Sequence, residues 1–161
     1  MKQTLKNISL LAVIMLLSLS ACKANVSRND DGSVTVETSV TQEQLQEVIS
    51  SSIADPLIQD LSVSLQNGYV SVTGTRQRLN DASKTDTMSF RLDLGVSNGE
   101  LTASISDAQI DGIAIEQNRV DNWNQTIANR IALIDGGNRN ATLQSVSVTP
   151  EQVTMTWLAN Q

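Results

Sequence analysis

Chemistry has few starting points in this chain. Of its 161 residues none is histidine, one is cysteine (Cys22) and 17 are acidic. The lack of His removes the commonest general base and metal ligand. Serines and threonines are plentiful, but no Walker loop, Gly-x-Gly-x-x-Gly or paired metal ligands accompany them. With Lys84 as the one amine base well inside the chain, an activated hydroxyl has few routes. Acid–base work would fall to carboxylate pairs. Asp81 with Asp86 and Asp107 with Asp111 have the spacing, but both lie in polar stretches where nothing obvious raises a carboxyl pKa, so they read as solvated loop acids. Asn29-Asp30-Asp31-Gly32 echoes a calcium loop without its alternating ligands or closing Glu, and reads as a turn. A single thiol allows no internal disulfide and no cysteine zinc cluster. Four aromatics, Tyr69, Phe90, Trp123 and Trp157, are thin material for a carbohydrate platform. These residues imply no cofactor and no catalytic centre.

The thiol has another use. Lys2 and Lys6 precede an apolar run over residues 8–19, too short to span a bilayer, for which about 20 residues are needed. Residues 1–21 therefore read as a signal peptide. The ending Leu19-Ser20-Ala21-Cys22 resembles the bacterial lipobox, in which the Cys becomes the first mature residue and carries lipid. The alternative is an ordinary signal peptide with an incidental Cys. Lipoproteins of this kind carry several acyl chains, and two or more are needed for stable anchoring. Processing would leave 140 residues, with nine basic groups against 17 acidic ones, a charge of −8. That balance argues against nucleic acid, whose binders need a basic face. The expected partner is a membrane, reached through lipidated Cys22 on the extracytoplasmic side of the cell envelope. Lys23 after the Cys points to the outer membrane if the cell is Gram-negative.

The elements that follow must position whatever this protein binds. Residues 22–32 are polar and aperiodic, and read as the lipidated Cys and a flexible tether to one domain over 33–161. Val34, Val36 and Val40 alternate as a half-buried strand. Thr41-Gln-Glu-Gln44 is a capping-box pattern opening a helix with the stripe Leu45, Val48, Ile49, Ser52 and Ile53, stopped by Pro56. Leu61 to Leu65 and Tyr69 to Thr75 flank Asn67-Gly68, a type I′ hairpin signal. Residues 76–86 read as a polar turn. Met88, Phe90, Leu92, Leu94 and Val96 alternate up to a second turn at Asn98-Gly99. Leu101, Ala103 and Ile105 answer them, and residues 110–115 continue the strand after a bulge. A second helix spans about 118–134, with Val120, Trp123, Ile127, Ile131 and Ile134 on one face and Asp135-Gly136-Gly137 as its glycine cap. Two more alternating strands close the chain.

The hairpins imply antiparallel pairing, and the alternation implies one wet face. The expected class is α+β: a curved antiparallel sheet wrapped around, or packed on, one or two amphipathic helices. The stripe Val120, Trp123, Ile127 and Ile131 is expected to face Phe90, Leu92 and Leu94. These aliphatic walls suit an acyl chain, and equally suit an ordinary core.

The segments Val-Thr-Gln-Glu-Gln-Leu-Gln-Glu-Val-Ile, Leu-Ser-Val-Ser-Leu-Gln-Asn-Gly-Tyr-Val-Ser-Val-Thr-Gly and Leu-Gln-Ser-Val-Ser-Val-Thr-Pro-Glu-Gln-Val-Thr-Met-Thr-Trp, behind an export signal, resemble small bacterial envelope proteins of the tubular lipid-binding (TULIP) superfamily, in its LmeA-like phospholipid-binding branch. The resemblance implies a strongly curved antiparallel sheet rolled around a helix, an apolar groove for a lipid tail, and no catalytic residues. Three functions stay open. One is an anchored binder of lipid or another apolar ligand. Another is a scaffolding lipoprotein that binds an envelope protein with no ligand pocket. The last is a hydrolase working through converging carboxylates.

Overall fold

A computed structural model describes residues 24–134 and 141–159. The strands are β1 (Asn25–Arg28), β2 (Val34–Thr41), β3 (Ile58–Gln66), β4 (Tyr69–Arg78), β5 (Asp81–Ser97), β6 (Glu100–Ile110), β7 (Ile113–Ala114), β8 (Ala141–Val148) and β9 (Gln152–Ala159). The helices are α1 (Gln42–Ile53), between β2 and β3, and α2 (Gln117–Ile134), between β7 and β8.

The α+β class and the antiparallel pairing are as expected. The strands divide between two sheets, however, with orders β1-β2-β9-β8 and β3-β4-β5-β6-β7. Each helix interrupts the run of hairpins, so the first strands pair with the last. β2 lies against β9 over its whole length, from Val34↔Ala159 to Thr41↔Gln152. Alternation marks a strand but does not name its neighbour.

Local signals explain most elements. Thr41 caps α1: its hydroxyl accepts from the Gln44 N–H, and the Gln44 side chain accepts from the Thr41 N–H at 2.9 Å. The buried face of α1 is the expected stripe, and buried Ser52 is satisfied by donating to the Val48 carbonyl. α1 ends at Ala54 in the left-handed region, two residues before Pro56. At Asn98-Gly99 both residues have positive φ, as a type I′ turn requires. At Asn67-Gly68 only the glycine does (φ 86°), so that turn is not the expected type I′. There the Gly68 N–H is held by the Val148 carbonyl of β8, a contact from outside the hairpin.

Three other expectations are corrected. Residues 25–28, expected within the tether, pair with β2 as β1. Residues 76–86 are not one long turn: β4 and β5 continue through them to a two-residue turn at Leu79-Asn80. Residues 25–28 are exposed throughout, and Arg76, Gln77 and Arg78 are half-buried through polar and ion-paired side chains, so neither stretch carries an apolar alternation. A fourth hairpin turn, Asp111-Gly112, separates β6 from β7, and the bulge lies earlier, where Asp107 has positive φ. Cys22, Lys23 and the glycine cap at 135–137 lie outside the described residues.

The helices seal the edges of the five-stranded sheet. On edge strand β3, the Val63 and Leu65 N–H groups donate to the side-chain carbonyls of Gln46 and Gln42 on α1. Along β6, the Ile105 N–H donates to Asn124 of α2 at 2.8 Å. α1 and α2 touch each other, with Arg130 donating to Ser51 at 2.6 Å. The pair bridges the two edges that an open sheet would leave unpaired. The four-stranded sheet meets the other one through β8. The Leu143 N–H donates to the Gly99 carbonyl, and the Val148 carbonyl accepts from Gly68, so β8 crosses both hairpin turns.

Candidate functional site

The seven side chains expected to form a ligand surface are brought together in the interior. Phe90, Leu92, Val120, Trp123, Ile127 and Ile131 are buried, and Leu94 is partly buried against them. The Phe90 and Trp123 ring centroids are 6.1 Å apart, a tilted aromatic pair. The remaining core side chains of both sheets and α1 join the same cluster. None of the seven lines any of four pockets on the described surface. They pack on one another as core side chains do.

Three of the four acids singled out in the sequence, Asp81, Asp86 and Asp111, have structural partners. Asp86 and Asp111 both bind Arg78, through Nε to Asp86 at 2.7 Å and through Nη2 to Asp111 at 3.0 Å. Asp111 also accepts from the Thr87 N–H at 2.9 Å, the main reason its carboxyl is held below the usual range. Asp81 caps the Ser83 hydroxyl and N–H, which lowers its pKa as well. Depressed carboxyls suit ion pairing and not proton donation. Among the described residues no three His, Cys, Asp or Glu side chains form a metal-binding group.

The sequence reading took the chain to have no Gly-x-Ser-x-Gly, and this is corrected. Gly95-Val96-Ser97-Asn98-Gly99 has the Gly-x-Ser-x-Gly form of a nucleophile elbow. An elbow needs a strand–turn–helix. Here Ser97 ends β5, and Asn98-Gly99 turns directly into β6. With no His in the chain, this is a hairpin and not a nucleophile site.

The sequence reading also missed a surface groove. It holds about 550 Å³ and lies between the Leu79-Asn80 turn, the β6–β7 hairpin and the start of α2. Its apolar lining is Leu79, Ile110, Ile113, Ala114 and Ile115. Leu79 and Ile113 are each 73% exposed. The groove lies at the end of β4 and β5 remote from the turns on which β8 rests, so the length of β5 separates it from the four-stranded sheet.

Two ion-pair groups flank it. On one wall Arg78 serves two carboxylates, as above. On the other, Arg76 and Arg119 converge on a single carboxylate, Asp55, at 3.0 and 2.7 Å. The Asp55 side chain is only 7% exposed. Burial pushes its pKa up, but the Leu57 N–H and the two guanidiniums outweigh this and leave it below the ordinary 3.8. The Arg119 guanidinium also sits 5.1 Å from the Trp123 ring centroid, which ties this wall to the core.

Comparisons with protein-family models, with curated proteins and with solved structures return no match. No helix among the described residues is long and apolar enough to cross a membrane.

Proposed function

We propose that this chain is a membrane-anchored, non-enzymatic lipoprotein of the bacterial envelope, held by acylated Cys22 and binding a lipid or another apolar ligand in a groove between sheet and helix. The observation that carries the reading is the pairing of Leu79 and Ile113 in one concavity. Single exposed aliphatic side chains are common on any surface, whereas two that share an apolar groove of ligand size mark a binding surface. The site is thus the groove at the far end of the five-stranded sheet, and not the filled interior around Trp123. The sequence likeness to the lipid-binding superfamily supports the same class of ligand. Lys23 and Ala24 separate Cys22 from Asn25, so an anchor there would hold β1 within about 10 Å of the lipid.

A second reading is favoured by that filled interior: a scaffolding lipoprotein, with the groove receiving an apolar segment of another envelope protein. Native mass spectrometry of the full chain carrying Cys22→Ser, mixed with bacterial phospholipids and fatty acids, separates the two. Ligand binding predicts an adduct that Ile113→Asp removes. No adduct with any lipid, beside capture of an envelope protein that Ile113→Asp abolishes, would leave the scaffold.

A further inference from the structure

The donors on the cationic wall of the groove are not used up. Arg76 engages Asp55 through Nε, and Arg119 engages it through Nη2. Each guanidinium has five N–H donors in a planar fork. Among the described residues no other acceptor is bound to either one, so two forks share one oxygen of one carboxylate. That carboxylate sits behind them, lining the neighbouring pocket by Ile53 and Ile58, while both arginines line the groove. The wall therefore carries one surplus positive charge and several surplus donors facing an aliphatic floor. On the opposite wall Arg78 and Thr87 occupy one oxygen of Asp86 and both of Asp111, and one guanidinium there faces two carboxylates, so the surplus positive charge belongs to the Arg76–Arg119 wall alone.

Resting on the apolar-ligand reading above, we propose that the groove takes a long-chain carboxylate, its head in the fork of Arg76 and Arg119 and its single chain along Ile115, Ile110, Ile113 and Leu79. A carboxylate presents two coplanar acceptors to a guanidinium edge, which is the match an arginine fork makes best. Its single negative charge balances the surplus on the wall. Asp86, Asp111 and Glu116 on the groove rim disfavour a head with more negative charge. Size points the same way. At about 30 Å³ per heavy atom, the share of a water molecule in the liquid, the 550 Å³ groove holds a chain of up to about 16 carbons with its head. A two-tailed lipid needs about twice that space and would leave a tail in water.

The test is titration calorimetry on the full chain carrying Cys22→Ser, with dodecanoate, 1-dodecanol, dodecyltrimethylammonium and a phosphatidylglycerol with two 12-carbon tails. The expected order places dodecanoate first, about ten-fold tighter than dodecanol, the lower end of what hydrogen bonds to a charged group contribute. Arg119→Lys keeps the charge and loses the fork; it should remove most of the preference for dodecanoate over dodecanol. Equal affinity for dodecanoate and dodecanol, both abolished by Ile113→Asp, overturns the head-group assignment and leaves the apolar-ligand reading standing. A preference for the phosphatidylglycerol overturns the single-chain assignment. Binding of none of the four overturns the reading and the assignment together.

Discussion

Ile127→Ala decides whether the stripe on α2 is core or the wall of a ligand cavity. Ile127 has 0% exposure and sits between Trp123 and Ile131 on the buried face of α2. The substitution deletes three carbons, worth about 2.4 kcal/mol at ~0.8 kcal/mol per buried methylene. A void that only partly collapses adds about 1 kcal/mol, for a total near 3.5 kcal/mol, within the range of about 2–5 kcal/mol for such truncations. In urea, with a slope of about 1.5 kcal/mol/M for a domain of this size, the midpoint should fall by about 2 M. The matched control is Leu133→Ala on the same helix, where the side chain is 79% exposed and the change should stay within about 0.5 kcal/mol. A lipid-sized cavity along the stripe would blunt the Ile127 cost, since the removed carbons would have had few partners. If Ile127→Ala costs less than about 1 kcal/mol, with an unchanged slope, the filled-core account is wrong and the interior returns as the ligand site.

The remaining expectations concern the groove's frame and the sheet behind it. Asp55→Asn should destabilise the fold by about 2 kcal/mol at pH 7; this is less than the usual cost of breaking a buried pair because Arg119 is partly exposed. The folded-state pKa of Asp55 is depressed, so its contribution is present above the ordinary value and is lost as pH falls from about 4 through the folded value. Urea midpoints of wild type and Asp55→Asn should therefore converge below that window, and a constant gap down to pH 2 would refute the linkage. Gly74→Ala should cost about 1–3 kcal/mol in the same assay, because a Cβ there would stand 2.7 Å from the Asp60 carbonyl oxygen at the β3 bulge. An unchanged midpoint would mean the bulge yields freely.

Helix positions were legible because their determinants are local. Thr41 and Gln44 satisfy each other's N–H groups within one turn, and the 3.6-residue stripe of α1 needs no partner to be recognised. The alternation from Met88 to Leu92 reads equally directly, since these residues bury one face of β5. Pairing was not legible. Nothing in Val34–Thr41 names Gln152–Ala159 as its neighbour, and the division into two sheets follows from where the helices interrupt the chain. β1 and the strand ends around Leu79 were hidden for a second reason. Apolar alternation arises only where one face packs on the core through apolar side chains; β1 is exposed throughout, and the half-buried end of β4 is covered by arginines and their ion pairs instead.

The groove escaped the sequence for a reason that also limits what it can be. Leu79 stands between Arg78 and Asn80, and Ile113 follows the Asp111-Gly112 turn, so each is a lone aliphatic residue in a polar stretch. They share a concavity because Arg78 joins the two turns, reaching Asp86 within its own hairpin and Asp111 across to the next. That clamp is exposed, with both Arg78 and Asp111 side chains 40% accessible, and such pairs are screened by salt. The cationic wall is different, because Asp55 is buried and Arg119 rests on Trp123 in the core. A ligand gripped by its tail alone would depend on the weaker of the two supports. One gripped by its head at Arg76 and Arg119 would be held by the wall whose carboxylate is buried, with the tail following the aliphatic floor toward the exposed clamp.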